Sequence, residues 1–298
     1  MTLKQLEAFY WAASCASFAV AAERLHITLS SLSKRISELE SSLGTQLFDR
    51  SGHRAVPTEA GRQLMPRALA LLSDAEQLRA DLGKAEGLSG VCRFGVGELT
   101  AWTWLPKLIA EATRRHPNLR LEPQVDLGRD MERQLEEGVL DFAIISGRSA
   151  RGAIASQTIA HTDFSWVGAS HILGRSRSVT ARLLQQTPLI ALPAGAGTTR
   201  ILDDWLAVQN IVAEHRITCN NWGAVAGMLV EGSGIGFLPH GWARALIARG
   251  HLMPLASRPH LASLHYSFQW RRDDTRPLVA QMKAIAVETV DFARTALF

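Results

Sequence analysis

Ser17-Phe18-Ala19-Val20-Ala21-Ala22-Glu23-Arg24-Leu25-His26-Ile27-Thr28-Leu29-Ser30-Ser31-Leu32-Ser33-Lys34-Arg35-Ile36-Ser37-Glu38-Leu39-Glu40-Ser41-Ser42-Leu43 reads as two helices and the turn between them. Thr28 is a good N-cap, and Leu29, Leu32, Ile36, Leu39 and Leu43 follow at spacings of three and four, which is one apolar face of a helix. The opposite face opens with Ser30, Ser31, Ser33, Lys34 and Arg35. Upstream, Ser17 is placed to cap a short helix whose Phe18, Ala21, Ala22 and Leu25 are mostly small, so a second helix can cross it closely through His26-Ile27-Thr28. Two helices packed this way, the second showing hydroxyl and basic groups at its first turn, have the layout of a helix-turn-helix. The second helix of that motif enters the DNA major groove N-terminus first. Periodicity alone also allows a small helical bundle with a solvated Ser/Lys/Arg face, because the motif has no strict sequence code.

Working outward, Leu3, Leu6, Phe9, Tyr10 and Ala13 mark a first helix that packs under the other two. After Gly44 come two short extended pieces, residues 46–50 and 54–57, about the turn Ser51-Gly52-His53, as in a β-hairpin wing. Arg50 and Arg54 flank that turn, within reach of phosphates or a minor groove. The DNA-facing set is therefore Thr28, Ser30, Ser31, Ser33, Lys34, Arg35, Arg50, His53 and Arg54. Arg24 is counted among the basic groups that favour nucleic acid.

Thr58 and Glu59 restart helix. Leu64, Ala68, Leu71, Ala75, Leu78 and Leu82 then step by four and three, a heptad seam roughly 38 Å long at 1.5 Å per residue. So narrow a stripe on so long a helix calls for a partner helix, and a second subunit is the expected source. Leu64, Leu71, Leu78 and Leu82 are the dimerisation set; Pro66 is expected to kink the helix near its start. Gly83, Gly87, Ser89 and Gly90 close it, which places a domain boundary near residue 88.

Beyond the boundary, strands alternate with helices. Strands are expected at 91–97, 119–125, 141–146, 166–168, 189–192, 217–220, 235–238 and 264–270. Helices are expected at 100–115, 130–137, 199–208, 222–231, 240–248 and 276–296. This alternation argues for α/β architecture with mainly parallel sheets and ligands outside the strand C-termini.

The words Ser17-Phe18, Ala21-Ala22-Glu23-Arg24-Leu25, Leu39-Glu40, Leu43-Gly44, Leu47-Phe48-Asp49-Arg50 and Thr58-Glu59-Ala60-Gly61 resemble the N-terminal signature of LysR-type transcriptional regulators, over about the first 65 residues. The chain departs from the family where Leu29-Ser30-Ser31 stands in place of Gln-Pro-Ala or Gln-Ser-Ala, so a polar group that often reads a base is absent. Leu105-Pro106, His116-Pro117, 138–145, 195–200, Trp205 and 230–239 look like landmarks of the family's effector domain. The resemblance implies a multi-domain α/β chain: a winged helix-turn-helix over 1–57, a linker and dimerisation helix over 58–88, and a two-lobed effector-binding domain over 89–298. That domain would be like a type II periplasmic binding protein, with lobe I at 91–161 and 268–298 and lobe II at 162–267.

A small-molecule effector, of no identity legible here, would lie between the lobes. Gly97 to Trp102 matches the family's first strand-to-helix crossover, and Gly97 stands where Ser is usual. Glu98, Leu99, Thr100 and Trp102 from that crossover, Ser146, Gly147 and Arg148 from the strand beginning at Asp141, and Thr198 and Thr199 at a helix start form the expected effector set. The partners implied are a pseudo-palindromic promoter site in double-stranded DNA, the effector, further copies of the chain in a homodimer or homotetramer, and, for a promoter-bound protein, RNA polymerase.

Composition narrows the rivals. At 298 residues about two or three compact units are expected. The charge of +4 is mild, and residues 1–57 carry six Lys/Arg against five Asp/Glu, so the placement of basic groups matters more than their sum. Cys15, Cys92 and Cys219 are an odd, sparse set that argues against a disulfide framework. The N-terminus lacks a signal-peptide pattern and no apolar run reaches membrane-span length, so a soluble, cytoplasmic protein is expected. No nucleophile elbow, Walker motif or Cys-x-x-Cys occurs. Gly232 to Gly236 reads as a turn before a buried strand, and His260 and His265 fall on opposite faces of a strand, so neither metal nor cofactor is expected. An enzyme is therefore disfavoured. Two rival functions stay open: a small-molecule binding protein without DNA function, and a regulator whose Cys92 or Cys219 senses oxidants. Each cysteine reads first as a small buried apolar residue.

Overall fold

The computed structural model describes residues 1–51, 55–82 and 87–294. His53 and Arg54 of the wing and Gly83 of the linker lie outside the described residues, as does the side chain of Leu82. The last helix, expected to reach 296, ends instead at Thr289, where Val290 leaves the helical conformation.

The head comprises α1 (Leu3–Ser14), α2 (Phe18–Arg24), α3 (Leu29–Leu43), and a two-stranded wing of β1 (Phe48–Asp49) and β2 (Val56–Pro57). Its helices start where the caps predict: Ser17 accepts from the Val20 N–H and Thr28 from the Ser31 N–H. Thr2 and Gln5 form a capping box at α1. Leu32, Ile36 and Leu39 are fully buried, whereas Leu29 and Leu43 at the ends of the same stripe are exposed. The core closes around Phe48, whose ring lies 5.7 Å from that of Phe9 and 5.0 Å from that of Phe18. The turn between α2 and α3 needs one left-handed residue, and His26 supplies it at φ 52°. α4 (Glu59–Leu82) runs on from the wing. Ala68 is buried under the head and Leu64 packs against the same core, while Leu71 and Leu78 remain exposed.

Lobe I contains β3 (Ser89–Val96), α5 (Glu98–Thr103), α6 (Leu105–Arg115), β4 (Asn118–Val125), α7 (Gly128–Glu136), β5 (Phe142–Ser146) and β6 (Ile154–Thr162). Lobe II contains β7 (Phe164–Gly168), α8 (Ser170–Leu173), α9 (Ala181–Gln186), β8 (Leu189–Ala191), α10 (Gly197–Val208), β9 (Arg216–Thr218), α11 (Trp222–Val230), β10 (Ile235–Pro239), α12 (His240–Ala248) and β11 (Met253–Leu255). The chain returns through β12 (Leu264–Arg271) and ends its described helices with α13 (Pro277–Thr289). The two sheets are ordered β4-β3-β5-β12-β6 and β11-β7-β10-β8-β9.

These sheets are mixed rather than mainly parallel. β3 runs parallel to β4 and β5, but β12 is antiparallel to β5 and β6; β7 is likewise antiparallel to β10 and β11. Each antiparallel strand belongs to a segment by which the chain passes between lobes, so it re-enters its sheet against the direction of the βα units. β12 pairs from Leu264 onward, four residues before the expected boundary at 268. β6 escaped the hydrophobic pattern because it is a polar edge strand. The helix expected over 100–115 breaks at Trp104, since Pro106 has no N–H to continue the ladder. Stacked rings of Phe94, Phe142 and Phe268 fill lobe I, and Trp166, Trp205 and Phe237 fill lobe II. No helix among the described residues is long and apolar enough to cross a membrane.

The head rests on lobe I through a buried ionic cluster. Arg24, counted from sequence among the basic groups that favour nucleic acid, is buried instead. It donates to the carbonyl oxygens of Gly138 (2.8 Å) and Val139 (3.0 Å) and to Asp141. Asp141 also accepts from Arg276 (2.7 Å) and from the Arg93 N–H (2.8 Å), and Arg276 pairs with Asp274 as well. Both guanidinium groups lie over the Trp11 ring, that of Arg24 at 3.8 Å and that of Arg276 at 4.8 Å from its centroid. Burial alone would raise the Asp141 pKa; Arg276, then Arg24, overcome it and hold the carboxyl below its ordinary value.

Candidate DNA-binding face and effector cleft

The N-terminal turn of α3 presents a cluster of hydroxyls. The Thr28 hydroxyl bonds those of Ser30 and Ser31, both at 2.9 Å, and all three residues are exposed. Lys34 is exposed beside them, and Ser33 and Arg35 are half-buried. Hydroxyls at a positive helix end, flanked by cations, suit phosphate oxygens and base edges. Arg50 is not a free cation: its guanidinium donates to Glu40 Oε2 at 3.1 Å. Glu40 Oε1 meanwhile accepts the N–H groups of Leu47 (2.8 Å) and Phe48 (3.2 Å), so one carboxylate fastens the wing to α3. Sequence reasoning missed Glu40, because an acid late on an amphipathic helix looks like a solvated charge.

Between the lobes lies a cavity of about 980 Å³. Glu98, Leu99, Trp102, Ser146, Gly147, Arg148, Thr198 and Thr199 all line it. Thr100 does not; it is fully buried behind the crossover, and its hydroxyl has no hydrogen-bond partner among the described residues. The two threonines of α10 differ in use. Thr199 Oγ1 donates to the carbonyl oxygens of Leu192 (2.9 Å) and Pro193 (2.8 Å), which ties down the preceding loop. Thr198 is only 4 % exposed, yet its hydroxyl has no partner among the described residues. α10 has no side-chain cap, since Ala196 occupies the N-cap position. A helix start with open N–H groups and an unpaired hydroxyl can take an anion.

The opposite wall centres on Glu98. Its Oε1 accepts from Trp102 Nε1 (3.0 Å) within lobe I, and from Asn221 Nδ2 (2.7 Å) and the Trp222 N–H (2.9 Å) of lobe II. Asn221 also caps α11, accepting from the Ala224 N–H at 2.8 Å. Asn221 and Trp222 were missed as site residues; the signal was an Asn just before an apolar helix, which marks a helix start but names no partner. Cys92 is fully buried in lobe I, and burial pushes its thiol pKa well up. Cys219 is half-buried.

Comparison with known proteins agrees with this layout. The family model described as LysR substrate binding domain matches residues 85–291, and that described as bacterial regulatory helix-turn-helix protein, lysR family, matches residues 3–62. A probable hydrogen peroxide-inducible genes activator of Mycobacterium leprae is 34% identical over 196 residues, 65% of this chain and 63% of that protein, so the match spans less than two thirds of that relative. The HTH-type transcriptional regulator ShiR of Corynebacterium glutamicum is 28% identical over 279 residues, 93% of this chain and 95% of that one. Among solved structures, ArgP from Mycobacterium tuberculosis superposes with a TM-score of 0.66 at 22% identity, over 96% of both chains. Full-length LysG from Corynebacterium glutamicum with bound effector Arg superposes with a TM-score of 0.62 at 17% identity, over 97% of this chain and 98% of that one. These two likenesses bear on the fold.

Proposed function

The chain belongs to the LysR family of transcriptional regulators, with a helix-turn-helix head and an effector-binding domain, and from that premise we propose how it acts. The head, residues 1–57, binds a pseudo-palindromic site through Thr28, Ser30, Ser31, Ser33, Lys34 and Arg35 of α3 and through the wing. Residues 58–88 pair two subunits along the exposed Leu71 and Leu78. Residues 89–298 bind a small molecule bearing an anionic group in the cleft between the lobes. One observation carries the effector assignment: Thr198, at the uncapped start of α10, lines the cavity, and its Oγ1 is buried and unpartnered among the described residues. A buried hydroxyl without a partner costs free energy unless a ligand or water completes it. A thiol-sensing role at Cys92 is weaker, because that residue is sealed in a core that disfavours the thiolate.

The test is footprinting on the DNA upstream of the protein's own coding region, with and without candidate carboxylates, alongside tryptophan fluorescence titration of wild type and Thr198→Val. A carboxylate that alters the footprint should bind Thr198→Val more weakly, roughly tenfold for a lost buried hydrogen bond. Equal affinity of the two proteins for such a ligand would move the anion site away from α10.

A further inference from the structure

The cleft contains two helix N-termini, and they are not equivalent. That of α10 is open, whereas that of α11 already faces a carboxylate, the side chain of Glu98 from the other lobe. The contact is built on both sides. Trp102 holds Glu98 Oε1 from within α5 through its indole N–H, and Asn221 donates from the α11 cap. Glycine at 223 lets the Trp102 ring lie on the first turn of α11, since a Cβ there would stand 3.2 Å from Trp102 Cζ2. Elsewhere on the cavity wall the lobes also meet closely: a Cβ at Gly197 would stand 2.5 Å from Ser146 Oγ. Glu98 Oε2 accepts no hydrogen bond from the described residues, and Glu98 lines the cavity.

We propose that Glu98 is a resident carboxylate of the cleft: it fills the anion position at the start of α11, ties the lobes together without ligand, and thereby selects the effector. This rests on the cleft being the effector site. An effector then places its one anionic group at α10, where Thr198 waits, and turns a hydrogen-bond donor, neutral or cationic, toward Glu98 Oε2. A second carboxylate reaching α11 would have to displace Glu98 and would meet its negative charge. The cleft therefore accepts monoanions with a donor at the far end, the zwitterion of an amino acid among them, and rejects dicarboxylates.

The test needs neither DNA nor the natural effector. Amide hydrogen exchange is followed at the Trp222 N–H in wild type, Glu98→Gln and Glu98→Ala. Wild type and Glu98→Gln, which keeps an acceptor, should protect that amide, and Glu98→Ala should exchange it at least about tenfold faster. Acetate should then restore protection and shift the tryptophan emission in Glu98→Ala, while leaving this amide unchanged in wild type. Glu98→Ser carries the same expectations should Glu98→Ala not fold. Unchanged exchange in Glu98→Ala, or no effect of acetate on it, would overturn the proposal. So would succinate binding to wild type as tightly as to Glu98→Ala. Failure of the Thr198→Val footprinting test alone would instead fall on the effector site at α10.

Discussion

Replacing Arg24 by Met removes the charged centre of the contact between head and lobe I while nearly preserving its length. The Arg24 side chain is 6 % exposed, and its acceptors Gly138, Val139 and Asp141 all belong to lobe I. The loss should therefore fall on docking of the head rather than on its own core. Removing one partner of a buried ion pair costs about 3–5 kcal/mol when an unpaired charge is left behind. Here Asp141 keeps Arg276 and the Arg93 N–H, so about 2–3 kcal/mol is the better figure, a docking equilibrium weakened about 30- to 150-fold. Cys15 reports it: its thiol donates to the Gly138 carbonyl oxygen across the interface, and burial raises its pKa. In a Cys219→Ser background, alkylation of Cys15 should accelerate by that factor in Arg24→Met. Asp141→Asn should accelerate it further, since two guanidinium groups then face a neutral amide. A folded Arg24→Met protein with the wild-type labelling rate would show that this cluster does not hold the head.

The depressed pKa of Asp141 sets a pH limit on the same contact: its stabilisation is present above the unfolded carboxylate value of about 3.9 and is lost as pH falls through the folded one. Small-angle scattering should thus give a constant radius between neutral pH and about pH 5, and expansion below about pH 4. Arg50→Ala should flatten the slope of log K against log salt by about 0.9 in DNA-binding titrations; an unchanged slope would mean that Arg50 serves only Glu40. Leu71→Glu with Leu78→Glu should convert dimer to monomer in sedimentation, and a persistent dimer would place the subunit contact elsewhere. Gly197→Ala forces a Cβ against Ser146, so a thermal midpoint lower by several degrees is expected from about 1–3 kcal/mol of overpacking, and an unchanged melt would rule out close approach there.

How far the sequence could be read depended on the range of the interaction. The helix-turn-helix was legible because its determinants are local: a cap, a stripe at three-four spacing and a turn fall within 27 residues, and Leu32, Ile36 and Leu39 are buried as the stripe demands. The placing of Glu98 and Trp102 at an effector crossover was legible only through the resemblance to the family. What Glu98 binds was not, because Asn221 lies 123 residues away. Arg24 makes the point most sharply. A basic residue at the end of the first helix of a DNA-binding pair is chemically ready for a phosphate, and nothing within a turn or two of it says otherwise. Its carboxylate lies 117 residues on, at the start of a strand whose own pattern says only that it is buried. Periodicity reports whether a side chain faces the interior, since that depends on its neighbours in one element. Which opposite charge a guanidinium meets depends on how elements are stacked, and both ends of such a pair look ordinary until the chain brings them together.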